Sequence, residues 1–409
     1  MANDKQNTNP NVPNMREQSG IYSGYAERGV LRPQGNVPNL RFPEFTEEWG
    51  NNTFGEIAKG FDYGMNASAK PFDGMNKYIR ITDIDESSSL YRGDEIVSPD
   101  GKLEECYLVK ENDILLARTG ASTGKSYLYR NSDGILYFAG FLIRANIEKH
   151  NPLFVFSQLH THKYWKWVSI MSTRSGQPGI NSQEFASFPI YTTSIQEENK
   201  IANLLKLVDE RINTQNKIIE DLKKLKVAIT NWLIKSISDC SGVKYLENIA
   251  DIYQPQTIPT SVLNDDDEYF VYGANGIIGK YHKYNHEYSQ ICITCRGNTC
   301  GNINFSVPKS WITGNAMVVN IDEYAHIVNK RYLYHYLSTI NFTPLISGSG
   351  QPQIVRQPLG KLKIPTPSLE QQDNIANTID NFEQKIEIEN KYLQSLLAQK
   401  YYLLSNMFI

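Results

Sequence analysis

The stretch Gly120-Ala121-Ser122-Thr123-Gly124-Lys125-Ser126 has the composition of a phosphate-binding loop. A P-loop places four residues between its glycines and runs into a helix, so that successive amides converge on a phosphate. Here three residues separate the glycines and no long helical pattern follows, so a polar loop between strands is expected. Cys292-x-x-Cys295 with Cys300 offers thiolate spacing, but no second pair completes a zinc set, and ordinary strand residues are expected. The seven histidines are scattered, and neither His160-x-His162 nor His282 with His286 is joined by a third ligand. There is no Gly-x-Ser-x-Gly elbow and no dinucleotide fingerprint, and Asn151-Pro152 continues into Leu153 rather than into a methyltransferase signature. No catalytic constellation and no metal site is expected.

A different chemistry is carried by residues that pair with base edges. Arg suits guanine, and Gln or Asn suits adenine, each in bidentate fashion. Two Gly-Gln-Pro loops display Gln177 and Gln351, with Gly permitting the turn and Pro stiffening it. Arg118-Thr119 and Arg296 follow apolar runs and lead into polar loops, the second containing Asn298. The candidate DNA-contacting set is Arg80, Thr82, Arg118, Thr119, Arg174, Ser175, Gln177, Asn275, Lys280, Arg296, Asn298, Ser349, Gln351 and Arg356. For any one of these the alternatives are a phosphate contact or a hydrogen bond within its loop. Residues 114–190 carry eight Lys or Arg against three acids, and residues 275–363 carry nine against three. Residues 83–113 carry ten acids against three bases, so basic charge is local although the chain as a whole has a formal net charge of -3.

The elements that position these residues occur twice. Phe54-Gly55-Glu56-Ile57-Ala58 is echoed by Leu246-Glu247-Asn248-Ile249-Ala250. At an offset of 178, Ile114 to Arg118 falls on Cys292 to Arg296, and at 174 Ser175-Gly176-Gln177-Pro178 falls on Ser349-Gly350-Gln351-Pro352. Each copy ends in a long helical pattern. Ile201, Leu205, Val208, Ile212, Ile219, Leu222, Ile229 and Leu233 recur 174 positions later as Ile375, Ile379, Phe382, Ile386, Leu393, Leu396, Leu403 and Met407. Spacings of three and four over this length are the seam of a coiled coil, and each seam needs a partner. Ser194 with Glu197 and Ser368 with Gln371 read as capping boxes. The expected fold class is α+β: two tandem mixed α/β domains separated by two long antiparallel coiled-coil helices, related by a pseudo-two-fold repeat. The expected boundaries are a disordered tail at 1–37, a first domain at 38–192, a first long helix at 193–240, a second domain at 241–367 and a second long helix at 368–409.

The seam is broken by polar residues at matched positions, Gln215 with Glu389 and Lys226 with Lys400. In an antiparallel pair centred near residue 220, Lys226 would face Glu389 and Gln215 would face Lys400, either fixing register or lying solvated at the seam edge. At 1.5 Å per residue, such a helix spans roughly 60 Å and works as a ruler between two domains. A ligand of matching symmetry is duplex DNA read at two major-groove sites about one turn apart.

Composition sets the frame for this reading. A chain of 409 residues exceeds one core, and 40% hydrophobic with 21% charged residues is ordinary for a soluble protein. Five cysteines are too few and too uneven for a disulfide framework. No apolar run is long enough for a membrane span and no signal sequence is evident, so a cytoplasmic protein with no membrane partner is expected.

The chain resembles the specificity subunits of type I restriction-modification enzymes. The resemblance is carried by Leu40-Arg41-Phe42-Pro43-Glu44-Phe45, Tyr78-Ile79-Arg80-Ile81-Thr82-Asp83-Ile84, Gly273-Ala274-Asn275-Gly276-Ile277-Ile278-Gly279 and both Gly-Gln-Pro loops. The Pro365 to Gln372 pattern leading into the long helix completes it, and the resemblance covers residues 38–409. It implies two target-recognition domains, each reading half of an asymmetric bipartite site in double-stranded DNA across an unread spacer. It also implies assembly with two modification subunits, which carry the S-adenosylmethionine chemistry, and with restriction subunits that carry the ATP- and Mg-dependent motor and nuclease. The chain itself would then be non-catalytic and bind no cofactor. The resemblance further implies that the helices dock the modification subunits, with Leu204, Leu207 and Trp232 as candidates unless these residues widen the intramolecular core. The rival readings are a structural adaptor with two protein-binding domains, and a DNA methyltransferase with an unrecognised motif.

Overall fold

The structure is a computed structural model that describes residues 35–409 apart from Ser87, Arg174, Ser175, residues 239–241 and Ser349. Of the expected tail only residues 35–37 are described, and the candidates Arg174, Ser175 and Ser349 lie outside the described residues. The chain divides into two compact units, residues 1–213 with 394–409 and residues 214–393, so the division falls within both long helices.

In the first unit, β1 (Ala58–Tyr63), β2 (Asp113–Ala117), β3 (Ser126–Leu128) and β4 (Leu142–Ile147) form an antiparallel sheet in the order β1-β4-β2-β3. Ile114-Leu115-Leu116-Ala117 is buried throughout, as an unbroken apolar run in a strand covered on both faces must be. Helix α1 (Pro152–Gln158) starts where the Asn151 side chain accepts from the Leu153 and Phe154 amides and Pro152 occupies the first turn. Helix α2 (His162–Met171) follows, and then α3 (Ile195–Ser238) begins. The N-terminal segment closes this unit. The Leu40 amide donates to the Asn406 carbonyl at 2.8 Å, and Trp49 meets Phe408 edge-on at 6.2 Å.

In the second unit, β5 (Asp251–Tyr253), β6 (Ile291–Thr294), β7 (Ile303–Phe305) and β8 (Ala316–Asn320) form an antiparallel sheet in the order β5-β8-β6-β7, the same topology as the first. Helix α4 (Lys330–Ser338) and the start of α5 (Leu369–Asn406) complete its core with Tyr332, Leu333, Leu337, Ile375 and Ile379. The junction between domain and long helix is built alike in both units. Asn151 donates from its amide to Glu198 at 2.8 Å and from Nδ2 to Asn199 at 2.7 Å. Asn329 donates in the same way to Gln372 at 2.8 Å and Asp373 at 2.7 Å.

One of the two helix starts differs from the sequence expectation. Ser368 and Gln371 form the expected box, with reciprocal contacts of 3.3 and 3.2 Å. At the first start the Glu197 amide donates to Ser194 Oγ at 3.4 Å, but the Glu197 side chain turns inward instead of completing the box. Its carboxylate, with no exposed surface, takes Arg41 at 2.7 and 2.8 Å, Trp49 Nε1 at 3.3 Å and Thr193 Oγ1 at 2.6 Å. A buried carboxylate with a forked Arg partner is better satisfied than one reaching a single backbone amide.

The expected seam pairing also needs correction. Lys226 ion-pairs with Glu383 at 2.6 Å rather than with Glu389, while Gln215 Nε2 donates to Glu389 at 2.6 Å rather than facing Lys400. Both contacts lie in the second unit, and partners that fall from 389 to 383 as the first helix advances from 215 to 226 make the pairing antiparallel. In the first unit Lys400 pairs with Asp209 at 2.7 Å. Since 209 and 226 lie 174 positions before 383 and 400, each unit holds the same Lys–acid pair with the helices exchanged. A neutral amide can meet a carboxylate beside the seam without burying a second charge, and the lysine stems reach acids on neighbouring turns.

Candidate nucleic-acid interface

In the first unit, β2 ends at Ala117 and enters the Gly120–Ser122 turn. The Gly120 amide donates to the Pro178 carbonyl at 2.9 Å, and the Ile180 amide donates to the Arg118 carbonyl at 2.9 Å. These bonds lock the Gly-Gln-Pro loop against the end of the strand. Gly124 donates back to Ala117 at 2.9 Å, and its carbonyl accepts from the Tyr164 hydroxyl at 2.8 Å. Because the Gly120 and Gly124 amides are spent inside the loop, they do not converge into a phosphate cradle.

The second unit repeats this construction. Gly297 donates to Pro352 at 2.9 Å, Ile354 to Cys295 at 3.0 Å and Gly301 to Thr294 at 2.8 Å. All four loop glycines have left-handed φ: 75° and 91° at Gly120 and Gly124, and 87° and 97° at Gly297 and Gly301. The matched bonds place Arg118 on Cys295, Thr119 on Arg296 and Gly120 on Gly297, an offset of 177 rather than 178. Cys292 and Cys295 therefore stand on Leu115 and Arg118, not on Ile114 and Ala117. A one-residue slip exchanges the faces of a strand, so the two arginines that look paired in sequence leave different positions.

The loops bring several candidates together. In the first unit the Arg118 guanidinium lies 4.8 Å from the Tyr63 ring centroid and its Nη1 is 3.4 Å from the Gly140 carbonyl, while Gln177 is exposed beside Gly120. Hydrogen bonding from Ser182 holds the Tyr63 phenol below its ordinary pKa, with the Arg118 charge a smaller contribution. In the second unit Arg296 and Arg356 line one cleft of about 400 Å³ with Gln254 and Gln353, over a floor of Ile252, Met317 and Ile354. Asn298 and Gln351 are exposed in the loops. Asn275 is exposed in the turn between the paired strands Tyr269–Gly273 and Gly276–Tyr281, and shares a second cavity with Gly301 and Asn302. Lys280 lies over the Phe270 ring at 5.8 Å.

Arg80 is placed differently. Its Nε and Nη2 donate to Asp83 at 2.9 and 2.7 Å, which spends most of the guanidinium fork inside its own turn, while the neighbouring Thr82 is exposed. Tyr63 and Gln254 belong to no motif and only the strand pairing carries them to the loops, whereas Gln353 directly follows the second Gly-Gln-Pro tripeptide but has Gly179 in its place in the first.

Among the described residues, no cysteine stands in a group of side chains that could hold a metal. Burial raises the Cys292 thiol to about 12, and Cys295 Sγ accepts from Gln254 Nε2 at 3.0 Å. Among the described residues, His335, Asp380 and Glu383 could bring ligand atoms together, but a cation is already there. Arg331 bonds to Asp380 and, at 3.0 Å, to Glu383, which also takes Lys226. Of the proposed docking residues, Leu207 is 54% and Trp232 67% exposed, whereas Leu204 is half-buried. No helix among the described residues is long and apolar enough to cross a membrane.

Comparison with known proteins agrees with this construction. The family described as "Type I restriction modification DNA specificity domain" matches twice, at residues 46–224 and 241–398. The chain is 24% identical to the MjaVIII specificity subunit of Methanocaldococcus jannaschii over 337 residues, covering 72% of this chain and 77% of that protein. It is 29% identical to the EcoprrI specificity subunit of Escherichia coli over 126 residues, 30% of this chain and 31% of the relative. The crystal structure of the type I restriction-modification S subunit from M. genitalium superposes with a TM-score of 0.63 at 17% identity, covering 91% of this chain and 99% of that one. A chain from a study of complex assembly and conformational transition in a type I system gives 0.53 at 14% identity, covering 88% and 97%. With two family matches spanning most of its length and the same strand-end and Gly-Gln-Pro construction in each unit, this chain belongs to the specificity subunits of type I restriction-modification systems, the non-catalytic members of multi-subunit assemblies.

Proposed function

We propose that the chain reads an asymmetric, bipartite duplex DNA target, one half with the loops of residues 38–192 and the other with those of residues 241–367. The observation that carries this reading is a shared backbone with different side chains. Gly120 bonded to Pro178 and Gly297 bonded to Pro352 are the same construction, yet Arg118 stands where the second unit has Cys295, and Thr119 where it has Arg296. One scaffold displaying unlike donors suits unlike half-sites. The base-edge donors carried by these loops and the local basic charge supply readout and phosphate neutralisation, respectively. The paired helices set the unread spacer between the half-sites. Their exposed apolar positions, Leu207 and Trp232 with the half-buried Leu204, dock two modification subunits. S-adenosylmethionine is bound by those subunits, and ATP and Mg by the restriction subunits.

The test is to express the chain with its modification subunits and to sequence modified bases. Exchanging residues 243–367 for the same segment of a relative is expected to change one half-site only. Inserting a heptad after Ile219 is expected to change the spacer or abolish modification. An unchanged target after both edits overturns the proposal.

A further inference from the structure

The offset of 177 brings to light a pair of positions that no sequence motif marks. The Arg118 amide donates to the Phe141 carbonyl at 3.0 Å, and in the second unit the Cys295 amide donates to the Asn315 carbonyl at 3.2 Å. Phe141 and Asn315 are therefore counterparts, each at the corner that leads into the strand beside the loop. Phe141 is 63% exposed, although a phenyl ring gains about 1.5–3 kcal/mol from full burial. Single exposed apolar residues are common, so exposure alone decides nothing. Its mounting is what sets Phe141 apart. The Gly140 amide donates to Met65 at 2.8 Å and the Leu142 amide to Ala139 at 2.8 Å. A Cβ on Gly64 would lie 2.2 Å from the Ala139 carbonyl oxygen, so two chain segments meet at backbone distance two residues before Phe141. The corner is held at both ends, and it is bonded to the residue whose guanidinium stacks on Tyr63.

We propose that Phe141 is a specificity-determining residue that reads its half-site by apolar contact with the bases, and that Asn315 reads the other half-site from the equivalent corner by hydrogen bonding. The proposal rests on the DNA-reading function above. A phenyl ring has no edge donor or acceptor to offer a base pair. It can pack on a thymine methyl or enter a base step, both of which discriminate by shape and stacking. Asn has the paired donor and acceptor that match an adenine edge. The two half-sites would then be read by different physical means from one backbone position.

The full chain, assembled with its modification subunits, would be used to select binders from a pool of synthetic duplexes with a randomised window. Phe141→Ala and Phe141→Asn are expected to relax the sequence at one half-site and to weaken binding to the wild-type target about tenfold, leaving the other half-site unchanged. Phe141→Leu, which keeps an apolar tip, retains more of the preference, and Asn315→Ala relaxes the opposite half-site. Melting temperatures should not move, because the ring is largely outside the core. If Phe141→Ala and Phe141→Asn select the wild-type sequence with unchanged affinity while Arg118→Ala does not, the inference falls and the DNA-reading function stands. If Arg118→Ala, Gln177→Ala and Phe141→Ala all select the wild-type sequence, both fall.

Discussion

Gln215 donates from its side chain to the Glu389 carboxylate at 2.6 Å and to the Glu389 carbonyl at 3.1 Å. The two residues are each other's counterparts in the repeat, 174 positions apart. Lys385, one turn earlier, also holds the Glu389 carboxylate at 2.5 Å, and together Lys385 and Gln215 keep it below the usual carboxylate range.

The pair is expected to specify register more than to stabilise. Gln215→Leu alone leaves the carboxylate facing an apolar side chain and should lower the melting temperature. The double variant Gln215→Leu with Glu389→Leu should recover that loss, because a continuous apolar seam replaces the polar break. Thermal unfolding of the three proteins checks this, and a double variant less stable than the single one would refute it.

Gly124 and Gly301 should both be sensitive to substitution. A Cβ at Gly124 would lie 2.7 Å from Val168 Cγ1, and one at Gly301 2.9 Å from Phe342 Cβ, both at left-handed φ. Alanine at either is expected to cost about 1–3 kcal/mol in denaturant unfolding and to disturb base reading in one half-site only.

The two arginines Arg80 and Arg118 should respond differently. Arg118→Ala removes a guanidinium that lies over Tyr63 and should cost about 1–3 kcal/mol of discrimination at one base pair. Arg80→Ala leaves Asp83 without its fork and should lower stability while the selected sequence is kept. Duplex selection together with thermal melting separates the two effects.

His160 provides a pH dependence. Its Nδ1 bonds to the Phe156 carbonyl at 2.9 Å and its Nε2 to Ser89 Oγ at 3.0 Å, an arrangement that suits the neutral ring. Burial lowers its pKa to about 4, with Lys400 adding and Phe156 and Asp209 opposing. The unfolded histidine titrates near 6.5, so between these values the unfolded chain binds a proton that the folded chain does not. This contribution is therefore complete above about pH 6.5 and declines as the pH falls toward 4, by at most about 3 kcal/mol. In urea titrations at pH 7 and pH 4.5, His160→Gln should lose less stability than the wild-type chain. An equal loss in both proteins would count against it.

Periodicity and repetition were enough to make the two-copy architecture legible. Apolar residues at spacings of three and four leave a helix no choice but to find a partner, and the Gly-Gln-Pro loops recur at a constant offset because each closes the same backbone turn. The absence of catalytic spacing was also visible, since catalytic motifs depend on residue types at short, fixed separations. Local sequence could not say which residues stand in the same place. Ile114 to Arg118 and Cys292 to Arg296 align well as strings, yet the hydrogen bonds from Gly120 and Gly297 move the match by one residue and thereby separate Arg118 from Arg296. The partners of Lys226 and Glu197 were likewise decided by tertiary packing. Each charged group took the neighbour that satisfied it at least cost in desolvation, and that neighbour lay 157 residues away at Glu383 and 156 residues away at Arg41.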